Sequence, residues 1–233
     1  YTIAAGSLAV SKSSSSPTTD VAVDATNQTL AIFDFTAAGE DAKVQNLNVQ
    51  ADIVGGANGG ILNGKVLVDD VQVGTTKNLT EATIVNFTFG STFIVKAGTT
   101  GKVKIVGDIK TTTSTSYAGG ETVAITLTTG SSNVQTLTSL NTLSRPSANT
   151  AANTLNITSV ALTATKAPGF GNRTVAAGTN DAKLASFVVG AGAAEGVAVS
   201  SITVTLSADN SNSSTISRMY LKDAAGILLG SVK

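Results

Sequence analysis

The sequence predicts an all-β protein built from two tandem antiparallel β-sandwich modules, and three observations support this fold class. Short segments in which apolar and polar residues alternate recur along the chain, and this is the pattern of strands with one buried face. Glycine and small polar residues separate the segments by roughly 8 to 15 residues, as in β-sandwiches. A pattern near the beginning of the chain also returns in its second half, at the spacing of a whole domain.

Seven segments carry the strand signal. Alternating hydropathy dominates them, and they are rich in β-branched or aromatic residues, which fit a pleated, half-buried surface. In chain order they are residues 30–35, 44–49, 66–68, 83–89, 102–106, 122–127 and 201–206. A helical periodicity of 3.6 residues is not sustained over any dozen residues, so we expect strands and turns throughout.

The internal repeat is marked by matched phenylalanines and matched glutamates. Phe187 follows Phe33 by 154 residues, and Glu195 follows Glu40 by 155 residues. From either glutamate, the next apolar positions of an alternating strand lie 4, 7 and 9 residues further on. A repeat of this length indicates a domain, because the units of solenoids are much shorter.

This repeat predicts the domain organisation. We expect a first module over residues 1–138, a connection over residues 139–153 and a second module over residues 154–233. The connecting segment is poor in apolar residues and contains Pro146. Because proline lacks an N–H and restricts the residue before it to extended backbone, the joint should be semi-rigid.

The second copy is shorter than the first. Residues 155–163 parallel residues 3–11, and the copy ends opposite Lys77, so the part of copy one from about residue 78 to 153 has no counterpart. A half-sandwich would expose apolar faces and strand edges, which proteins avoid. Three interpretations stay open: the chain is a fragment of a longer array, the first 76 or so residues of each copy form a sufficient domain, or a neighbouring subunit supplies strands.

Matching strands should place their large apolar residues in the two sandwich cores. Aromatic residues are only 4% of the chain and Trp is absent, so aliphatic side chains and a few phenylalanines must fill these cores. The expected core residues are Phe33, Phe35, Leu47 and Val49 in the first module, and Phe187, Val189, Ile202 and Val204 in the second.

Charge and residue content exclude several classes of function. Fifteen basic and fifteen acidic residues cancel, and no basic cluster occurs, so nucleic acid is not an expected partner. The chain has no His and no Cys, which removes catalytic triads, Cys–His pairs and zinc–thiolate sites; we expect no enzymatic activity. It also lacks a run of 18 apolar residues, so we expect no membrane insertion.

Calcium is the metal that the residue content favours, because hard cations bind oxygen ligands. Two adjacent acid pairs supply the candidate ligands: Glu40, Asp41, Asp69 and Asp70. The second copy keeps Glu195 and Asp223. Gly196 and Lys222 replace the other two acids, so a shared site would be incomplete there. The competing interpretation is that all these acids are solvated loop residues.

Three segments, residues 33–44, 93–103 and 117–123, resemble the tandem immunoglobulin-like domains of prokaryotic surface-layer and cell-surface proteins. The resemblance covers essentially the whole chain. It implies immunoglobulin-like antiparallel β-sandwiches that assemble into a lattice or filament outside the cell, and it implies no catalytic residues. A composition rich in Ser, Thr, Ala, Gly and Asn and poor in Lys and Glu also suggests an exported protein.

We therefore expect a secreted structural protein at the cell surface, whose partners are copies of itself in a homo-oligomer or polymer. β-Sandwich contacts, and strand donation in one interpretation, would hold the assembly together. The alternative is an adhesin or carbohydrate-binding module with a glycan as its partner. A concave surface that clusters Tyr117, Tyr220 or Phe170 beside Asn and Asp would favour this alternative.

Overall fold

Strands, turns and loops make up the whole of the chain that the computed structural model describes, which is residues 5–55, 59–110, 116–159, 162–192, 196–205 and 216–231. No helix occurs in these ranges, so the predicted all-β fold class is confirmed. The strands are β1 Ser7–Lys12, β2 Val21–Ala22, β3 Gln28–Ala38, β4 Ala42–Val44, β5 Asn46–Val54, β6 Gly60–Val68, β7 Val71–Thr80, β8 Ile84–Thr88, β9 Ile94–Val95, β10 Thr100–Asp108, β11 Thr122–Leu127, β12 Val134–Thr136, β13 Thr142–Leu143, β14 Thr150–Thr158, β15 Leu162–Lys166, β16 Phe187–Ala191, β17 Leu221–Lys222 and β18 Leu228–Leu229.

Two five-stranded sheets share one hydrophobic core and form a β-sandwich. The first sheet has the strand order β1-β3-β10-β6-β7, and the second has the order β2-β14-β11-β5-β8. A four-stranded sheet, β13-β12-β4-β9, adds to it. Paired strands of the sandwich run antiparallel, except that β2 and β14 run parallel through Val21–Ile157 and Ala22–Thr158.

Alternating side chains of both sheets fill the core. β5 shows the pattern, since its four inward side chains are buried and the polar residues between them are half-exposed. Phe35 and Phe89 each place a ring 5.4 Å from that of Phe93, within the range of favourable aromatic pairs. The four residues predicted for the first core are all fully buried: Phe33, Phe35, Leu47 and Val49.

Most of the predicted strand segments are confirmed. The first six overlap β3, β4 with β5, β6, β8, β10 and β11. The seventh, residues 201–206, was predicted as a strand but contains none over residues 201–205, the part of it that the structure describes. Alternating hydropathy alone does not make a strand, because the backbone N–H and C=O groups need a neighbouring strand to bond.

The sandwich extends further along the chain than the first module that the sequence predicted. β14 lies between β2 and β11 and buries Leu155 and Ile157. Residues that the sequence assigned to the connection 139–153, and to the start of the second module, therefore belong to this sandwich. Arg145 fastens the same segment by donating from Nε to the Leu8 carbonyl at 2.5 Å. Because only two side chains of β14 are fully buried, with Ala152 packed at the margin of the core, its low apolar content resembles that of a linker.

Contacts divide the chain into two compact units, Tyr1–Val197 and Ala198–Lys233. The first unit contains the sandwich and the β15–β16 pair. The second contains the hairpin of β17 and β18, which pair antiparallel through Leu221–Leu229 and Lys222–Leu228. Asp223 closes that hairpin by accepting the N–H of Ile227 at 2.8 Å.

The β15–β16 pair repeats the register of β1 and β3 at an offset of 154 residues, with identical residue types at both ends of the ladder. The matched pairs of copy one and copy two are Leu8–Ala37 with Leu162–Ala191, and Lys12–Phe33 with Lys166–Phe187. The sequence alignment of residues 155–163 with residues 3–11 makes Leu162 the counterpart of Val10. The strand register of the structure corrects this alignment by two residues, and the counterpart of Leu162 is Leu8.

Candidate functional site

Glu40, the first predicted calcium ligand, lies after β3 and holds the loop that follows β12. Its carboxylate accepts the N–H groups of Thr138 at 2.8 Å and Ser139 at 2.7 Å, and the Ser139 hydroxyl at 2.6 Å. The bond from the Ser139 hydroxyl, followed by the N–H bonds, lowers the pKa of Glu40 below its ordinary value. The ionised side chain therefore has an anchoring role within the fold.

Asp41 fastens the segment between β9 and β10. It pairs with Lys96 at 2.8 Å between Nζ and Oδ2, and it accepts the N–H of Ala97 at 2.8 Å. The bond from Lys96 is the main cause that lowers the pKa of Asp41, and the Ala97 N–H adds to it. Any cation at Asp41 would have to compete with these donors.

Asp69 and Asp70 form the two-residue turn between β6 and β7. Their φ angles of 47° and 69° are those of a type I′ hairpin turn, where Asp is tolerated. Asp69 accepts the N–H of Lys102 at 3.0 Å, and Asp70 pairs with Nζ of Lys104 at 2.5 Å. Both side chains therefore tie the turn to β10.

The structure gives each of the four predicted ligands protein donors. Among the residues it describes, no group of three or more acidic side chains is placed to hold a metal ion. Glu195, the matching acid of copy two, lies outside the described residues. The geometry therefore gives no further support for a calcium site at Glu40, Asp41, Asp69 and Asp70, and this site stays a prediction.

Tyr117 is a buried polar residue whose structural role the sequence did not indicate. Its hydroxyl donates to the carbonyl of Gly60 at 2.6 Å and accepts the N–H of the same residue at 2.9 Å. Burial raises the pKa of Tyr117, and the charges of Glu81 and Glu121 add to that rise, while the Gly60 bond opposes it. The side chain therefore pins the approach to β11 onto the beginning of β6.

Glu121 supports the same loop from inside. It is only 7% exposed, and it accepts the N–H groups of Ala118 at 3.1 Å and Gly119 at 2.8 Å. Gly119 has a φ of 96°, which a residue with a Cβ rarely adopts. The only local signal of this arrangement is an acid that follows two glycines, and the Gly60 partner lies 57 residues away from Tyr117.

Copy two exposes the side chains that copy one buries. Phe33 and Phe35 are 0% exposed, whereas their counterparts Phe187 and Val189 are 57% and 45% exposed. The prediction that copy two has its own filled core is therefore wrong for all four residues named for it, since the other two are also about half exposed: Ile202 and Val204. The physical reason is that the described part of copy two forms only two separate strand pairs, whereas a core needs a second layer packed against the first.

A shallow cavity lies beside Phe170 in the first unit. Basic and polar side chains line it together with apolar ones: Lys166, Phe170, Asn172, Arg173, Lys183 and Phe187. The guanidinium of Arg173 lies 4.6 Å from the centre of the Phe170 ring, and Nζ of Lys183 lies 5.5 Å from it, at cation–π distances. Of the other two predicted aromatic platforms, Tyr117 is buried, and Tyr220 belongs to the second unit.

Known proteins do not assign a family or a function to this chain. No protein-family model, no curated protein and no solved structure matches the chain. A search of the described ranges for a helix long and apolar enough to cross a bilayer found none.

Proposed function

We propose that this chain is a structural subunit of an extracellular array, a surface layer or a filament, and that it works through contacts between β-sandwiches and not through catalysis. One observation carries the proposal. Copy two rebuilds the β1–β3 pair of copy one in the same register, yet it leaves the corresponding apolar side chains exposed. Exposed apolar side chains on a formed strand pair are suited to association with further protein.

The strand orders support an immunoglobulin-like module. In a constant-type immunoglobulin domain, one sheet has the order A-B-E-D and the other contains C, F and G. β1, β3, β10 and β6 follow the first order, and β14, β11 and β5 follow the second in the reverse direction. β6 departs from the usual path, because β7, β8 and β9 come between it and β10 in the chain. Tandem modules of this kind support the surface-layer interpretation.

The exposed residues of copy two give association a driving force. Fully burying a Phe or Val side chain contributes about 1.5–3 kcal/mol. Phe187 and Val189 lie on one face of β16 and Val188 lies on the other, and each is about half exposed. Association must also offset an ordering cost of several kcal/mol, so these side chains need backbone pairing or further contacts in addition to hydrophobic burial.

Sedimentation velocity and negative-stain microscopy of the purified chain test the proposal. We expect reversible, concentration-dependent association and repeating subunit contacts, and a chain that stays monomeric and monodisperse at high concentration would contradict it. Running both measurements with added calcium and with a chelator tests the calcium prediction separately, because a calcium ion that rigidifies a module or bridges two of them would make assembly depend on calcium.

A glycan-binding adhesin is the second candidate, and the cavity beside Phe170 favours it. Arg173 and Lys183, which lie over the Phe170 ring, and the neighbouring Asn172 offer hydrogen-bond donors, and the positive charge of the two basic side chains suits an acidic sugar. Glycan-array binding that is lost in Phe170→Ala, while the assembly state is unchanged, would support this function over the structural one.

A further inference from the structure

Asn172 begins one of several Asn-x-Ser/Thr sequons, the motif at which exported proteins accept N-linked glycans. The sequons start at Asn27, Asn78, Asn86, Asn156, Asn172 and Asn212. Because Asn, Ser and Thr are all common in this chain, chance alone produces several such motifs. The structure distinguishes them by their backbone and by the partners of each asparagine side chain. Asn212 lies outside the described residues.

Four of the described sequons are built into strands. Three of these lie within β7, β8 and β14, and their middle residues belong to the buried core: Leu79, Phe87 and Ile157. The fourth, which starts at Asn27, runs into β3. A transferase must hold the sequon in its own active site, so each of these segments would first have to leave its sheet by local unfolding.

The asparagine side chains of these four sequons are also engaged within the fold. Asn86 donates from Nδ2 to Oδ1 of Asn46 at 3.0 Å and to Oδ1 of Asn48 at 2.7 Å. Each of the other three is hydrogen-bonded to one neighbour: Asn27 to Lys65, Asn78 to Asn63 and Asn156 to Asp20. An amide nitrogen is already a weak nucleophile, because its lone pair is delocalised, and a side chain held in this way is a poor acceptor.

Asn172 differs in both respects. Its sequon, Asn172-Arg173-Thr174, lies in a loop in which every residue from 171 to 180 is exposed and none belongs to a strand. Within the part of the chain that the structure describes, the Asn172 side chain makes no hydrogen bond. A transferase therefore reaches this sequon without unfolding the protein.

We propose that Asn172 is the N-glycosylation site among the described sequons. The donor is an oligosaccharide carried on a lipid diphosphate, and Nδ2 of Asn172 attacks C1 of its first sugar. The C1–Nδ2 bond forms and the C1–O bond to the diphosphate breaks. The lipid diphosphate leaves with the electron pair, and one Nδ2 proton passes to a base of the transferase. The inference rests on the extracellular location proposed above and not on assembly.

Glycan transfer to the purified, folded chain tests the proposal. The probes are a single-subunit oligosaccharyltransferase that accepts the plain Asn-x-Ser/Thr sequon and a lipid-linked oligosaccharide, with glycopeptides mapped by mass spectrometry. We expect transfer to Asn172 to be at least about tenfold faster than to the strand sequons, because those must open first. Thr174→Ala should abolish this glycan. Thr88→Ala, the matched control, removes the Asn86 sequon and should leave it unchanged.

Two peptides separate the sequon from its setting. Residues 167–177 and 81–91 place Asn172 and Asn86 at their centres, and the transferase should modify both peptides at similar rates, because neither has a sheet to leave. An unmodified Asn172 in the folded chain, or transfer to Asn86 there at an equal rate, would overturn the proposal. A peptide 167–177 that the transferase ignores would overturn it as well.

The same mapping of the protein from its natural source should find the glycan on Asn172, and its absence there would contradict the proposal. This glycan is covalent and should stay on the denatured chain. That separates it from a glycan bound in the cavity beside Phe170, which Asn172 also lines. A glycosylated chain that stays monomeric would contradict the array and not this site.

Discussion

At the scale of single residues, the sandwich depends on polar side chains that satisfy loop backbone. Tyr117 serves both backbone groups of Gly60 with one hydroxyl, and Glu40 serves two N–H groups and a hydroxyl of the loop after β12. The backbone groups of Gly60 are buried and would be costly without partners, whereas the groups that Glu40 binds are exposed and are held by its charge. Replacing either side chain should therefore change the free energy of unfolding by a measurable and pH-dependent amount.

Replacing Tyr117→Phe should lower the free energy of unfolding at neutral pH by about 1–3 kcal/mol, because the N–H and C=O of Gly60 lose their partner. The raised pKa of Tyr117 means that the wild-type contribution is fully present below the unfolded pKa of about 10. It is lost as pH rises through the folded value, so the difference between the two proteins should shrink in that range. Urea unfolding between pH 7 and 11 measures this, with Tyr220→Phe as the control.

Replacing Glu40→Gln should destabilise the sandwich at neutral pH and have a decreasing effect as the solution is acidified. The folded pKa of Glu40 is lowered, so its contribution is present above the unfolded value of about 4.3 and disappears as pH falls through the folded value. Urea midpoints of both proteins from pH 7 to pH 3 should therefore converge. Midpoints that stay equally far apart at every pH would show that ionisation of Glu40 is not involved.

At the scale of elements, the same strand behaves differently in its two settings. β3 has neighbours on both sides and a second sheet across the core, whereas β16 has β15 alone among the described strands. The residues match at an offset of 154 positions and the register is the same. Burial is therefore decided by the elements around the strand and not by the strand itself.

The pair Phe33→Ala and Phe187→Ala measures that difference. Phe33 is completely buried. Its replacement by alanine should lower the free energy of unfolding by about 3–5 kcal/mol, because it leaves a cavity in the core. Phe187 is 57% exposed, so its replacement by alanine should change the free energy of unfolding of the dilute, monomeric chain by less than about 0.5 kcal/mol. Equal losses in chemical denaturation would mean that copy two has a filled core of its own.

At the scale of the whole molecule, the core of the sandwich ends with Ile157 of β14. A chain shortened to residues 1–159 should therefore unfold at the same urea midpoint as the full chain. A chain shortened to residues 1–138, the module boundary that the sequence suggested, lacks β13 and β14 and should fail to fold cooperatively, because Leu155 and Ile157 leave the core and β11 loses a neighbour. Circular dichroism during unfolding distinguishes these outcomes.

The sequence predicts what depends on local pattern. Segments such as residues 44–49 and 122–127 have one apolar face, and this pattern predicts a half-buried strand wherever the fold supplies neighbouring strands. The first core residues followed from the same pattern. Residues 201–206 carry an equally clear pattern but lack a described partner strand, and nothing local reports the presence of a neighbour.

Contacts between distant segments account for the rest. The hydroxyl of Tyr117 donates a hydrogen bond to Gly60, which lies 57 residues away in the sequence. Arg145, in the expected connection, donates to Leu8, which lies 137 residues away. The carboxylate of Asp41 is a predicted metal ligand, and the fold also brings Lys96 beside it. Polar side chains are typically ambiguous in this way, because one carboxylate can serve a cation, a backbone N–H or a lysine, and only the three-dimensional neighbours decide.

The parallel pairing of β2 with β14 has a mechanical consequence. It joins a strand near the start of the sandwich to its last strand, and the Val23 N–H extends the contact by donating to the Thr158 carbonyl at 2.9 Å. When the two ends of the sandwich are pulled apart, strands that run in the same direction are dragged lengthwise past each other. Their bonds must then break together and not one after another, so a module of this design resists tension along its chain.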